Sequence, residues 1–282
     1  MSWQPSDPVR GRSRYAVPAA GACNRGPVAV AHRRTAPYGD TAAATGPLTL
    51  FGFHPAGGGT AFFSGWQRAL GDGVRVVPVR LPGRDPAAGS HRHRLLSTLV
   101  AAVEAELAPA LERPYLLYGH SMGALIAYHL TLLRAAAGRR LPERLLVGAY
   151  PAPHLPHPLR GAGGLTDARL ADLLLDFAAL PAALCRDRGW LADRLSLVRA
   201  DLALCESAGA AGPREPLDCP VEVFTGTGDP LVAVPDAAAW TAHAGRDCAL
   251  HTVPGGHFFP RESKEQFFGS LNSVLAPLSL PV

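Results

Sequence analysis

Short apolar stretches alternate along the chain with longer segments in which apolar residues return every three or four positions. Stretches of this length, rich in Val, Leu, Phe and Tyr, predict buried strands. The predicted strands are 48–53, 74–81, 115–119, 145–150, 221–226 and 249–254. Since helical segments separate them, we predict an α/β fold with a mostly parallel central sheet and helices on both faces.

The segments between these strands have the periodicity of amphipathic helices. The helices predicted in this way are 59–70, 96–111, 122–137 and 261–276. Gly138 directly follows the third helix, where a glycine is typical of a C-terminal stop.

The segment between the strands at 145–150 and 221–226 interrupts the alternation, because it contains no strand pattern. Two helical stripes lie within it, and Thr166 stands before the first as an N-cap. The stripes are Leu170, Leu173, Leu174 and Phe177, then Leu191, Leu195, Val198 and Leu202. They fit either two surface helices packed on the sheet or a lid over one of its edges. We favour a lid at about 155–215, since the sheet already has its crossover helices.

Residues 1–45 contain few large apolar side chains, many Pro, Gly, Ala and Arg, and no periodicity. This composition predicts a disordered or loosely attached basic extension, with a start codon assigned too early as the alternative. The apolar pattern begins after it, so the predicted domain spans 46–282.

The net charge of +4 comes from this extension, which carries six arginines against two aspartates. The remaining chain has 21 basic and 21 acidic residues, so a nucleic-acid partner is not expected. No apolar run reaches the ~18 residues of a membrane span and no secretory signal is visible, which favours a cytoplasmic protein without a membrane partner. Five scattered cysteines form no zinc-ligand or disulfide pattern.

The pentapeptide Gly119-His120-Ser121-Met122-Gly123 fits the pattern G-x-S-x-G. It follows an apolar strand and precedes a helix, the context in which such a serine lies on a sharp, strained turn with its hydroxyl exposed. The alternative is a serine in an ordinary strand-to-helix turn. Ser121 is a candidate nucleophile if the chain also supplies a base.

Two later residues supply that base and its partner. Asp229 comes just after the strand at 221–226, and His257 just after the strand at 249–254. Carboxyl ends of parallel strands share one edge of a sheet, so both residues are expected beside Ser121. Alone, Asp229 fits an Asx turn and His257 a helix cap. Together, in this order and topology, they predict a Ser-His-Asp triad.

Attack by a serine on a carbonyl creates an oxyanion, which two backbone N–H groups usually stabilise. The residue after the nucleophile, Met122, would supply one of them. The sequence FHPAGGG at 53–59 follows the first strand, and Ala56 is the candidate for the other donor. Glycines there allow the backbone to approach a substrate closely.

Several segments resemble, in order, the type II (editing) thioesterases of polyketide and nonribosomal peptide biosynthesis, in the α/β-hydrolase superfamily. They are FHPAGGG…FFSGW (53–66), VRLPGR (79–84), GHSMGALIAYHL (119–130), PAPHLP (151–156), VRADLALCES (198–207), PLDCPVEVFTGTGDPLV (216–232) and VPGGHFFP (253–260). The resemblance covers about 47–278. It implies the α/β-hydrolase fold, the triad Ser121, Asp229 and His257, and the oxyanion donors Ala56 and Met122. One departure, His54 before Pro55, is expected to tilt the loop that carries Ala56.

The resemblance further implies hydrolysis of acyl thioesters from the phosphopantetheine arm of acyl or peptidyl carrier proteins, by a monomer that needs no metal or other cofactor. In the family this reaction clears stalled or aberrant acyl groups. The alternative enzyme is a chain-releasing or cyclising thioesterase, or an esterase of the same fold. A carrier-protein binder without catalysis is the other class of function, and the complete triad argues against it.

Deletion of residues 1–45 is expected to leave activity intact, because every candidate site residue lies downstream. Steady-state kinetics of the full and truncated chains would check this. A large loss of kcat/KM on truncation would show that the extension acts on the catalytic domain or on a partner.

Overall fold

The computed structural model describes residues 48–84, 93–209 and 215–278. Within these residues a six-stranded sheet has the order β2-β1-β3-β4-β5-β6, and every neighbouring pair is parallel. The strands are β1 Leu48–Phe53, β2 Val74–Pro78, β3 Tyr115–His120, β4 Arg144–Gly148, β5 Val221–Gly226 and β6 Cys248–Val253. The predicted parallel sheet is confirmed. The extension predicted at 1–45 lies outside the described residues.

Helices connect the strands, as the alternation predicted. They are α1 Trp66–Leu70, α2 Leu96–Leu107, α3 Met122–Ala136, α4 Asp167–Asp176, α5 Arg188–Ser207, α6 Val234–Ala238, α7 Phe259–Glu262 and α8 Lys264–Leu275. Gly138 follows α3 with a φ of 62°, the left-handed conformation expected of a C-terminal stop. Thr166 caps α4, because its side chain accepts a hydrogen bond from the N–H of Arg169.

The helix predicted at 96–111 ends at Leu107, and a separate 3-10 turn follows at Ala110–Glu112. Two other predicted helices are broken in the structure. The segment 59–70 forms a short 3-10 turn at Thr60–Phe63 and then α1, because Gly65 between them has a φ of 84°. The segment 261–276 is divided into α7 and α8 at Ser263, whose φ of −130° and ψ of 58° lie outside the helical range. In both cases the apolar pattern continues across the break, so periodicity alone predicted one helix.

Side chains alternate between two hydrophobic cores, one on each face of the sheet. On one face, Phe51 and Leu117 pack with α2 and α3. On the other face, Leu50, Leu116 and Phe224 pack with α1 and α8. β3 lies within the sheet and is buried along its whole length, so the turn that follows it starts from a rigid position.

A buried ion pair between Arg134 and Glu104 joins α3 to α2. The guanidinium of Arg134, fully buried, donates to the carboxylate of Glu104 at 2.8 Å and to the carbonyl of Leu111 at 3.0 Å. Arg139 donates to the same carboxylate oxygen of Glu104 at 2.6 Å. This network anchors the far end of α3, the helix whose first turn follows Ser121.

Replacement Arg134→Met is expected to lower the free energy of unfolding by about 3–5 kcal/mol, because it strips a buried carboxylate of its buried partner. Arg140→Met is the control, since its pair with Glu143 is exposed and is worth about 1 kcal/mol or less. Urea denaturation would measure both. Equal losses in the two variants would contradict the assignment of the buried network as an anchor.

Candidate active site

Ser121 occupies a sharp turn between β3 and α3. Its φ of 54° and ψ of −118° are a conformation that residues other than glycine rarely adopt. Its N–H donates to the carbonyl of Gly148 at 2.8 Å, which ties the turn to the end of β4. A Cβ at Gly119 would collide with the carbonyl of Gly123, and a Cβ at Gly123 would collide with the carbonyl of Phe53. Both glycines of the motif are therefore required by packing.

Asp229 and His257 meet at the same edge of the sheet, as the sequence predicted. The loops after β5 and β6 join through a hydrogen bond from the N–H of Gly228 to the carbonyl of Gly255, at 2.8 Å. His257 Nδ1 lies 2.9 Å from Asp229 Oδ2, and both side chains are almost completely buried. Because a carboxylate only accepts, the hydrogen of this bond is on Nδ1.

The other carboxylate oxygen of Asp229 accepts from the N–H groups of Leu231 at 2.8 Å and Val232 at 3.3 Å. This is the Asx turn that the sequence offered as the plainer interpretation. The two interpretations therefore coexist, and the turn holds the carboxylate that faces His257.

His120, which directly precedes Ser121, connects the turn to His257. The imidazole of His120 lies on the backbone of His257, with Nε2 at 2.8 Å from the carbonyl oxygen of His257. Ser121 Oγ itself makes no hydrogen bond to any residue in the described parts of the chain. The structure thus brings Asp229 and His257 together and links His257 to the turn of Ser121 through His120, without a serine–histidine hydrogen bond.

His120 is a residue of the candidate site that the sequence did not predict. Its Nε2 carries the hydrogen, since the carbonyl of His257 only accepts, and its Nδ1 accepts from the hydroxyl of Tyr118 at 3.0 Å. Burial lowers the pKa of His120 far below its usual value, so the ring is neutral. A polar residue at the end of a fully buried strand was the signal that could have identified it.

The oxyanion loop, residues 53–59, passes directly over the start of α3, because the carbonyls of Phe53 and His54 face Gly123. Neither Ala56 N–H nor Met122 N–H donates a hydrogen bond within the described residues. His54 points inward, and its Nδ1–H donates to the carbonyl of Pro55 at 2.9 Å.

The lid segment, defined above as about 155–215, contacts both sides of the site through its described residues. The ring of Phe177 packs edge-on against His257, with 5.7 Å between centroids. Val198 of α5 packs where a side chain at position 57 would lie. Between α4, α5 and the oxyanion loop is a cavity of about 250 Å³, lined by Ala56, Phe62, Leu174, Leu180, Trp190 and Phe258 among others.

The described residues contain no group of three metal-ligating side chains. No helix within them combines the length and the apolar character needed to span a membrane. The four cysteines that the structure describes are free thiols, and Cys205 and Cys219 are buried.

The thioesterase domain family matches residues 48–275. The gramicidin S biosynthesis protein GrsT of Aneurinibacillus migulanus is 30% identical over 234 residues, which are 82% of this chain and 91% of GrsT. The RedJ thioesterase from the prodiginine pathway of Streptomyces coelicolor is 34% identical, with a TM-score of 0.73 over 82% of this chain and 87% of RedJ. YbtT, a type II thioesterase from the yersiniabactin pathway, is 28% identical, with a TM-score of 0.71 over 80% of this chain and 92% of YbtT. The predicted α/β-hydrolase fold is confirmed.

The buried histidines make stability depend on pH. Burial, with a smaller effect of Arg84, lowers the pKa of His54 from 6.5 to about 4, so the folded chain binds fewer protons than the unfolded chain between these values. The free energy of unfolding is therefore expected to fall as the pH drops from about 6.5 to about 4. The slope due to His54 is at most about 1.4 kcal/mol per pH unit.

Urea denaturation of the wild type and of His54→Asn, which keeps an N–H donor near Pro55, would measure this slope. The variant is expected to lose part of it between pH 5 and 6.5 and none above pH 7. Parallel curves over the whole range would contradict a neutral, buried His54.

Proposed function

The chain belongs to the thioesterase domain family and is a thioester hydrolase, and from this premise we propose that Ser121, Asp229 and His257 are its catalytic triad. One observation carries the proposal: His257 donates through Nδ1 to a buried carboxylate, while its carbonyl is bound by His120, the residue directly before the strained turn at Ser121. The resemblance to type II thioesterases, first inferred from sequence segments, is confirmed by the comparisons.

In this scheme His257 Nε2 removes the proton of Ser121 Oγ as the oxygen attacks the thioester carbon. Asp229 stabilises the imidazolium that forms and fixes the tautomer. The buried Asx turn keeps its carboxylate in place. Catalytic hydrogen bonds often tighten only in the substrate complex, and we expect the bond between Ser121 Oγ and His257 Nε2 to form there.

The negative charge on the carbonyl oxygen is stabilised by the N–H groups of Ala56 and Met122. Removal of one such donor typically costs ~10²–10³ in rate. Collapse of the intermediate breaks the C–S bond, and the thiolate takes the proton from His257. Water, deprotonated by His257, then attacks the acyl-serine. The second intermediate breaks its bond to Ser121 Oγ, His257 returns the proton to that oxygen, and the free acid leaves. Every proton and charge is assigned to a residue, so the proposed reaction includes no cofactor other than the substrate's phosphopantetheine.

We propose that the substrates are acyl groups on the phosphopantetheine arm of acyl or peptidyl carrier proteins, and that the reaction removes stalled or aberrant ones. Two features support this. GrsT, RedJ and YbtT belong to gramicidin S, prodiginine and yersiniabactin biosynthesis. The cavity between the lid segment and the oxyanion loop offers Phe62, Leu174 and Phe258 to an acyl chain, and its polar lining includes Arg194 and Arg261.

Access to the site requires movement of the lid segment. His257 is only 3% exposed, and Phe177 covers its ring. We propose that the lid segment opens to admit the arm of the carrier protein and closes over the acyl group.

Replacement Ser121→Ala is expected to reduce kcat/KM on acyl carrier protein thioesters by at least ~10³-fold, because it removes the hydroxyl that we propose as the acyl acceptor. Ser64→Ala, at an exposed serine beside α1, is the control and should leave turnover unchanged. Hydrolysis of oxygen esters at a similar rate, with no preference for the carrier-bound form, would favour an esterase instead.

A further inference from the structure

Two segments that the proposed mechanism does not use meet at the oxyanion loop. Arg84 ends the segment VRLPGR, and Asp201 lies in VRADLALCES on helix α5. The N–H of Gly57 donates to Asp201 Oδ2 at 2.7 Å. Arg84 donates through one nitrogen to Asp201 Oδ1 and through another to the carbonyl of Gly58 at 3.1 Å.

Further contacts join the same loop to α5. Arg194 donates to the carbonyl of Gly57, so both peptide groups of this glycine are bound by side chains of the helix. Val198 fills the space beside Gly57, so a side chain at position 57 would collide with it. The φ of 67° at Gly57 is also a conformation that other residues rarely adopt. The loop is therefore attached to the lid segment on its backbone and on its van der Waals surface.

We propose that Asp201 and Arg84 are positioning residues that orient the oxyanion loop, so that Ala56 N–H points to the carbonyl attacked by Ser121. The proposal rests on the proposed function and adds a coupling between helix α5 and the oxyanion hole. Asp201 touches no reacting atom and acts through the peptide of Gly57.

The oxyanion loop needs such positioning contacts because of its composition. Three consecutive glycines, 57–59, leave the backbone free to rotate its peptide groups. A donor that is misplaced by a fraction of an ångström loses much of its effect on the oxyanion. The charge-assisted hydrogen bond to Asp201 fixes the peptide N–H of Gly57. The guanidinium of Arg84 binds both the carboxylate of Asp201 and the carbonyl of Gly58.

The burial of Asp201 makes this arrangement specific. Its side chain is 3% exposed and that of Arg84 is 16% exposed. A carboxylate removed from water in this way requires partners in fixed positions, and the peptide of Gly57 is one of them. Loss of the carboxylate thus releases the loop without removing any group that contacts substrate.

The test compares Asp201→Asn and Arg84→Lys with Arg199→Gln as the matched control. Arg199 lies on the same helix and pairs with exposed Asp167, away from the oxyanion loop. Each variant is assayed on an acyl-pantetheine thioester. Two ligands are then bound: an alkyl boronic acid, which forms a tetrahedral adduct on a serine, and the thioether analogue of the substrate, which does not.

For Asp201→Asn we expect kcat to fall by about 10- to 100-fold, less than removal of a donor costs. The affinity for the boronic acid should fall by a similar factor, while KM and the thioether affinity stay within twofold. Arg84→Lys should give a smaller loss of the same kind, because an ammonium retains the charge without the fork. Arg199→Gln should match the wild type.

The proposal would be overturned if Asp201→Asn raised KM and weakened the thioether affinity and the boronic acid affinity, all by the same factor. Asp201 would then act in substrate binding. A lower melting temperature with unchanged kinetics would assign it to stability alone. If Asp201→Asn does not fold, the double variant Asp201→Asn/Arg84→Gln removes the unpaired buried charge and is judged by the same criteria. A wild type that forms no boronic acid adduct and a Ser121→Ala variant that retains turnover would refute the proposed function instead.

Discussion

The backbone of Ser121 is the constraint on which the rest of the site depends. The chain changes from strand to helix within one residue, and its positive φ directs the side chain out of the turn. Such a conformation costs about 1–3 kcal/mol, so surrounding structure has to hold it. The buried strand β3, the bond to Gly148 and a helix anchored at its far end by Arg134 supply that support. Ser121 is thus presented by rigid elements, as a nucleophile requires.

Much of the fold could be predicted because its strands are apolar runs with clear ends. β1 and β5 have the predicted bounds, and the other strands differ by a few residues at their ends. The breaks at Gly65 and Ser263 were missed for a physical reason. Periodicity reports which face of an element is buried, and Phe62, Phe63 and Trp66 are all buried on either side of the break. The sign of φ at Gly65 changes the chain direction without changing that pattern.

The candidate site shows the same limit. The contact between Asp229 and His257 could be predicted, because the order of parallel strands places both loops at one edge. His120 contacts His257, 137 positions away, and Asp201 contacts Gly57, 144 positions away. No local sequence pattern predicts contacts over such separations. Buried polar side chains inside otherwise apolar segments are the only trace that such contacts leave in a sequence.

The two halves of the site are held by different parts of the molecule. Asp229 and His257, which form the base half of the proposed site, lie on loops at the edge of the sheet. The hydrogen bond between Gly228 and Gly255 and the bond of His120 to His257 hold these loops. The oxyanion half is fixed by helix α5 of the lid segment, through Asp201 and Arg194. Displacement of the lid segment would therefore leave the proposed nucleophile and base, Ser121 and His257, in place but loosen residues 53–59. On the proposed scheme, acyl transfer is then confined to the closed state, in which the acyl chain is covered and bulk water is limited.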